Sequence, residues 1–291
     1  MTIDMDVCVP QVAREAYDRL PGHDLLSSWH KATVDAAVRT FTAARATLGE
    51  AAWVAAHLAT YPLGLVSDRY LSWSPADPFG PLRRRADPTP ASPEHADVPV
   101  LLVHGLADNR SVFTVLGREL RRAGFHNVYA LNAHPFPGDA RTAATRLAGE
   151  VERICAETGQ ERVHIVAHSL GGLIARYYVQ LLDGDARTAT LVTIGTPHQG
   201  TTLARLLPYR MTGQLLPGSE LLRDLAAPAT GCRTRFVCFW SDLDHLMSPR
   251  DTAVLVHDDL DVRSIAVTGV RHASLPVNAE VVAGICRILD E

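Results

Sequence analysis

Val163-His164-Ile165-Val166-Ala167-His168-Ser169-Leu170-Gly171-Gly172 is the stretch that decides how this chain is read. An apolar, partly β-branched run leads into Ser169, and a helical pattern, Leu170–Leu182, follows at once. Small residues, Ala167 and Gly171, stand two positions before and two after the serine. Strand, sharp turn and helix in that order hold a serine on a strained backbone with its hydroxyl exposed. The flanking residues must be small because strand and helix approach each other there. The serine also opens a helix, whose free N–H groups and dipole favour developing negative charge. These features make Ser169 a candidate nucleophile.

Working outward, strand and helix patterns alternate from Val98 to the end of the chain. Strands are expected at Val100–Val103, Asn127–Leu131, Val163–Ala167, Thr190–Ile194, Arg235–Trp240 and Val262–Thr268. Amphipathic helices are expected at Ser111–Ala123, Arg141–Thr158, Leu170–Leu182 and Val277–Leu289. Short apolar strands separated by such helices predict an α/β fold, a mostly parallel sheet with helices on both faces. Residues 98–291 are therefore read as one catalytic domain. Gly195–Arg233 breaks the rhythm with two short helical pieces, Thr202–Leu207 and Ser219–Ala226. An insertion of that length at the C-terminal edge of a sheet reads as a small cap, over about 195–233.

Residues 1–97 read as an N-terminal helical extension with a Pro-rich linker. An Ala-rich helical pattern runs from about Leu25 to Ala59, and Ser72–Pro99 is a proline-rich extended stretch. Ala51–Ser67 lacks Asp, Glu, Lys and Arg but is shorter than the roughly 20 residues a spanning helix needs. Helices packed on the core are the expected arrangement, with a membrane-surface or dimer-forming helix pair as the sharper alternative. Met1-Thr2-Ile3-Asp4-Met5-Asp6 shows no basic n-region or apolar h-region, so the expected location is cytoplasmic or peripheral to a membrane.

Composition bounds the function. A net charge of −4 offers no electrostatic case for nucleic acid, and Arg83-Arg84-Arg85 reads as a solvated loop. Five scattered cysteines, Cys8, Cys155, Cys232, Cys238 and Cys286, have neither metal spacing nor an even count. Buried free thiols are expected, and a Cys232–Cys238 bridge is the less favoured alternative. No cofactor or metal is called for, and the dispersed carboxylates at Asp242, Asp244, Asp258, Asp259 and Asp261 lack a cation-loop spacing.

A serine hydroxyl becomes a useful nucleophile only when a base takes its proton. This strand–helix order calls for an acid and then a histidine after the serine. Of 13 histidines, His272 follows the last strand and precedes the last helix, at the same sheet edge as Ser169. The acid should follow the preceding strand, where Ser241-Asp242-Leu243-Asp244 offers two carboxylates. Spacing does not choose between Asp242 and Asp244. Developing negative charge on the attacked oxygen needs fixed N–H donors. The backbone N–H groups of Leu170 and Leu106 are the candidates, with Gly105 allowing the turn in Leu102-Val103-His104-Gly105-Leu106. His104 and His168 are given no catalytic role.

Four segments together resemble the bacterial lipases of the α/β-hydrolase superfamily. They are Val103-His104-Gly105-Leu106, Ala167-His168-Ser169-Leu170-Gly171-Gly172, Gly195-Thr196-Pro197-His198-Gln199-Gly200 and Gly269-Val270-Arg271-His272. The resemblance spans roughly Val98–Glu291 and implies an α/β-hydrolase fold. It also favours Asp244, because those lipases place the acid before x-aliphatic-aliphatic-x-Pro, as in Asp244-His245-Leu246-Met247-Ser248-Pro249. Ala167 departs from the commoner glycine at that place. The N-terminal extension has no counterpart in the minimal members.

The implied activity is serine carboxylic ester hydrolysis, with Ser169, Asp244 and His272 as the catalytic set and a lipid or other acyl ester as substrate. Apolar residues in the cap, among them Leu203, Leu206, Leu207, Met211, Leu215, Leu216, Leu221 and Leu222, favour a lipase over a short-chain esterase. An acyltransferase would use the same three side chains. A non-catalytic binding module on the same fold is the third reading. Oligomeric state is not legible.

Overall fold

A computed structural model describes residues 47–61 (except 52, 56 and 60), 92–106, 108–132, 138–206 and 210–291. Most of the expected extension, residues 1–46 and 62–91 with Arg83-Arg84-Arg85, lies outside the described residues, as does Cys8. Contacts divide the chain after Thr47, and the sheet with its covering layers lies in the unit Leu48–Glu291.

Six strands form one parallel sheet: β1 Val100–Val103, β2 Val128–Ala130, β3 Val163–His168, β4 Thr188–Ile194, β5 Arg235–Ser241 and β6 Asp261–Val267. Their order is β2-β1-β3-β4-β5-β6, and every pairing is parallel. The sheet runs one way from β1 to β2 and the other way from β3 onward. The crevice outside the C-terminal ends of β1 and β3 is thus a topological switch point, where α/β sheets bind ligands.

The helices are α1 (47–61), α2 Thr114–Arg122, α3 Ala140–Thr158, α4 Leu170–Leu181, α5 Glu220–Leu225 and α6 Ala279–Leu289. Alternate strand residues face opposite layers. Leu101, Val103, Ile165, Ala167, Leu191 and Phe236 pack with α3 and α4. Leu102, Val166, Val192, Ile194, Val237 and Phe239 pack with α2 and α6 on the other side. Asp139 starts α3 by accepting from the Arg141 N–H, and Gly159 ends it at φ 71°, a left-handed position glycine adopts without strain. Asn278 starts α6 in the same way, accepting from Glu280 and Val281.

The expected α/β fold and parallel sheet are what the chain forms, with three local corrections. The first helix begins at Thr114, because Arg110–Phe113 is a 3-10 turn started by the Asn109 side chain. The last helix begins at Ala279, with a separate 3-10 turn over His272–Val277. The β5–β6 crossover, where no helix is expected, carries a 3-10 turn at Arg250–Ala253. Within the proline-rich linker, Pro93–Ala96 forms one helical turn with proline at its start, where no N–H is required.

The segment between β4 and β5 carries helical turns at both expected places and adds a third between them. Its pieces are 3-10 turns at Thr202–Leu206 and Arg210–Leu215, followed by α5. Met211, Leu215, Leu221, Leu222 and Leu225 are buried in the layer that holds α3 and α4. Each such burial stabilises by roughly 1.5–3 kcal/mol. Gln214 accepts from the Ala140 N–H and donates to Asp139, while Arg141 pairs with Asp224 and Glu220. Most of its apolar side chains are therefore anchored against the core, although Leu206 remains 79% exposed.

Candidate active site

Ser169 follows β3 and starts α4 with φ 54° and ψ −126°. A non-glycine residue in that region carries about 1–3 kcal/mol of strain and persists only where its surroundings impose it. Three hydrogen bonds impose it here. The Ser169 N–H donates to Ile194 O at 2.9 Å, and the Gly172 N–H donates to Ser169 O at 3.0 Å. The Thr196 hydroxyl donates to the same carbonyl at 3.0 Å. The serine hydroxyl makes no capping bond to α4.

Close approach explains the small residues around the serine. A Cβ on Gly171 would lie 2.6 Å from both Val103 O and His104 O, so α4 can meet the end of β1 only without one. A Cβ on Gly172 would collide with the Thr196 side chain. Across the switch point, a Cβ on Gly105 would stand 2.9 Å from Ser169 Cβ and 3.5 Å from its Oγ. The loop carrying Leu106 thus begins in van der Waals contact with the serine, and Leu170 directly follows it.

His272 begins the turn after β6, and Asp244 lies in the loop after β5. The structure brings them together: His272 Nδ1 and Asp244 Oδ2 are 2.7 Å apart, and Asp244 is fully buried. Burial alone would raise the Asp244 carboxyl. The charge of His272, its hydrogen bond and the Leu246 N–H outweigh burial and hold it below its ordinary range. Asp242 has another partner, accepting from the Gly269 N–H at 2.8 Å. Gly195, at φ 54° after β4, separates the dyad from the sheet. A Cβ there would lie 3.1 Å from Asp244 Oδ2 and 3.2 Å from His272 Nδ1.

Ser169, Gly195, Asp244 and His272 thus leave β3, β4, β5 and β6 at one edge of the sheet. The His168 and His272 rings pack at 4.8 Å between centroids. Burial and the neighbouring His272 push His168 down to about 3, and burial also lowers His104. Both therefore stay neutral near pH 7. Among the described residues, no hydrogen bond joins the Ser169 hydroxyl to His272. Nor is there a cluster of three or more His, Cys, Asp or Glu suited to a metal ion. Cys155, Cys232, Cys238 and Cys286 are free thiols.

Two features escaped the sequence reading. The inward residues of α1, Glu50, Trp53, His57 and Tyr61, reach this edge. His57 Nε2 pairs with Asp108 Oδ1 at 2.8 Å, and Asn109 Nδ2 donates to Tyr61 O at 3.0 Å. No motif spacing links residues so far apart, although their 3- and 4-residue intervals mark one helix face. The second is a cavity of about 290 Å³ lined by Arg176, His198, Leu222, Leu225, Leu255 and Val256, with none of Ser169, Asp244 or His272 in its wall. The buried Arg176 guanidinium donates there to Leu225 O at 2.9 Å and so ties α4 to the end of α5.

A family model described as alpha/beta hydrolase fold matches residues 98–221. A triacylglycerol lipase of Pseudarthrobacter phenanthrenivorans is 33% identical over 114 residues, 36% of this chain and 35% of that protein. One from Burkholderia plantarii is 33% identical over 114 residues, 36% of this chain and 31% of its own length. The chain therefore spans about a third of the length of these curated relatives. The mature lipase BlEst2 of Bacillus licheniformis superposes with a TM-score of 0.57 at 17% identity, covering 70% of this chain and 96% of that one. The lin2722 gene product of Listeria innocua gives 0.52 at 13% identity, with 65% and 92% covered. At such identities the superpositions speak for the fold alone, and that fold is the α/β-hydrolase fold.

Proposed function

We propose that this chain, with its α/β-hydrolase fold, is a serine carboxylic ester hydrolase that acts on lipid esters of the acylglycerol type. The observation that most supports this reading is the buried 2.7 Å His272–Asp244 pair at the edge where Ser169 holds a strained φ of 54°. The triacylglycerol lipases that share 33% identity with part of the chain support the substrate class.

In this reading Ser169 Oγ attacks the acyl carbon and its proton passes to His272 Nε2. Asp244 holds Nδ1–H, which fixes the tautomer and stabilises the imidazolium. The Ser169–His272 contact tightens when substrate fills the site, as catalytic hydrogen bonds in free enzymes are often long. The Leu106 and Leu170 N–H groups receive the oxyanion. Collapse breaks the acyl C–O bond, and His272 returns its proton to the departing alcohol. Water then attacks the acyl-enzyme, with His272 again as base, and releases the acid and free Ser169.

The outward face of α1 supports contact with a lipid surface beside this site, since Leu48 and Leu58 are 72% and 63% exposed. No described helix is long and apolar enough to cross a membrane. The decisive experiment labels the protein with a fluorophosphonate and runs p-nitrophenyl esters of rising chain length. Labelling of wild type but not of Ser169→Ala, with activity extending to long acyl chains, is the expected result. Folded wild type that neither labels nor hydrolyses would remove the enzyme reading, and activity confined to acetate and butyrate would remove lipid esters. Acyl product on an added alcohol in preference to water would make it an acyltransferase.

A further inference from the structure

The turn that carries His272 is short of one internal support. A helical turn leaves its first N–H groups without partners inside the turn. The residue preceding His272–Val277, Arg271, provides no side-chain cap. A carboxylate from the far end of the chain occupies that position. The Ala273 N–H donates to Glu50 Oε1 at 3.2 Å, and Arg271 Nη1 lies 3.7 Å from Glu50 Oε2. Both oxygens of one side chain therefore hold the residues on either side of His272. Glu50 is only 15% exposed on its side chain, so water competes weakly for those oxygens.

The helix bearing Glu50 is itself pinned at its other end. His57 pairs with Asp108, and the Asn109 side chain donates to Tyr61 O, both on the loop that follows Leu106. Trp53 stacks on His57 with ring centroids 6.1 Å apart and packs against the buried layer of α2 and α6. Along α1, Glu50, Trp53, His57 and Tyr61 are partly buried, whereas residues 51, 54, 55, 58 and 59 are exposed. The helix therefore bridges the base-bearing turn and the loop of the Leu106 donor, with its functional face turned inward.

Resting on the ester-hydrolase reading above, we propose that Glu50 is a positioning residue for the reaction: its carboxylate caps the Ala273 N–H and thereby holds His272 at the distance and angle that proton transfer from Ser169 requires. Asp244 orients the ring from one side, and Glu50 holds the backbone beneath it. Misplacing a general base by about 1 Å costs on the order of a hundredfold in rate. A support at the backbone should therefore affect kcat far more than substrate binding.

The test compares Glu50→Ala, Glu50→Asp and Glu50→Gln with wild type on a soluble p-nitrophenyl ester, with thermal unfolding measured on each. Glutamine keeps an acceptor for the Ala273 N–H, aspartate withdraws it by one methylene, and alanine removes it. Expected are a kcat loss of at least about tenfold in Glu50→Ala with KM within twofold, a smaller loss in Glu50→Asp, and recovery to within threefold of wild type in Glu50→Gln. Glu50→Asp keeps the test decisive should Glu50→Ala fail to fold. Folded variants that all keep wild-type kcat, or a glutamine variant as slow as the others, would overturn the proposal. An inactive, unlabelled wild type would instead overturn the hydrolase reading, which the same assay separates.

Discussion

His272 Nδ1 and Asp244 Oδ2 meet at 2.7 Å with the carboxylate sealed from water. In such a site a charged hydrogen bond is strong and an uncompensated change is costly. Asp244→Asn keeps the shape and removes the charge, and the ring then takes the wrong tautomer. The expected result is a loss of roughly a thousand- to ten-thousandfold in kcat with little change in KM. Steady-state kinetics on a p-nitrophenyl ester checks it, and Asp242→Asn, whose carboxylate binds the Gly269 N–H, should fall far less. Equal losses in the two variants would leave the acid unassigned.

Gly195 should be intolerant of even one methyl group. Its φ of 54° disfavours any side chain, and a Cβ would crowd Asp244 Oδ2 at 3.1 Å and His272 Nδ1 at 3.2 Å. Gly195→Ala is expected to cost about 1–3 kcal/mol of stability and at least tenfold in kcat. Urea unfolding and kinetics on one preparation report both. A variant as stable and active as wild type would show that the dyad has slack the distances do not suggest.

His168 stays neutral throughout the working pH range, because burial and His272 hold it at about 3. Its replacement by glutamine exchanges one neutral side chain for another. The acid limb of kcat/KM against pH should therefore keep its midpoint within about half a unit, whatever happens to the plateau. A shift of a full unit or more would tie that limb to His168.

His164, at the start of β3, is buried with neither ring nitrogen hydrogen-bonded. Burial, with the charges of His95, Arg162 and Arg235, pushes it down to about 4 from an ordinary 6.5. A depressed folded value means that the unfolded chain takes up the proton first. Stability should be full above about pH 6.5 and decline as pH falls towards 4. His164→Leu removes that contribution and the unpartnered nitrogens, so it should gain on the order of 1 kcal/mol at pH 5 and show a flatter profile. Urea midpoints from pH 5 to 8 test this, and parallel curves for the two proteins would refute it.

The parts of the site legible in sequence are the local ones. Ser169 stands out because strand, turn and helix are contiguous around it. His272 stands out because it follows the last strand. Asp242 and Asp244 were not separable by spacing, since both lie in one turn after β5. Their different partners, Gly269 N–H and His272 Nδ1, come from across the sheet edge. Of the two helical pieces expected after β4, one is the α-helix Glu220–Leu225 and the other a 3-10 turn at Thr202–Leu206, because leucine spacing records burial and does not record how tightly the chain winds. The apolar side chains there read as those of a small cap, yet most of the described ones are spent on the layer of α3 and α4.

The alternation that builds a parallel sheet, the turn that strains Ser169 and the order of the candidate serine, acids and histidine are readable along the chain. The first two depend on residues within a few positions of one another, where backbone sterics and side-chain periodicity act, and the third is the order in which β3, β5 and β6 end. The closed sheet is what shows which carboxylate meets His272, how tightly a Cβ at Gly195 or Gly105 would be crowded, and that Glu50 reaches the turn of His272. Those outcomes depend on the closing of the sheet, which brings the ends of β1, β3, β4, β5 and β6 and one distant helix within van der Waals reach.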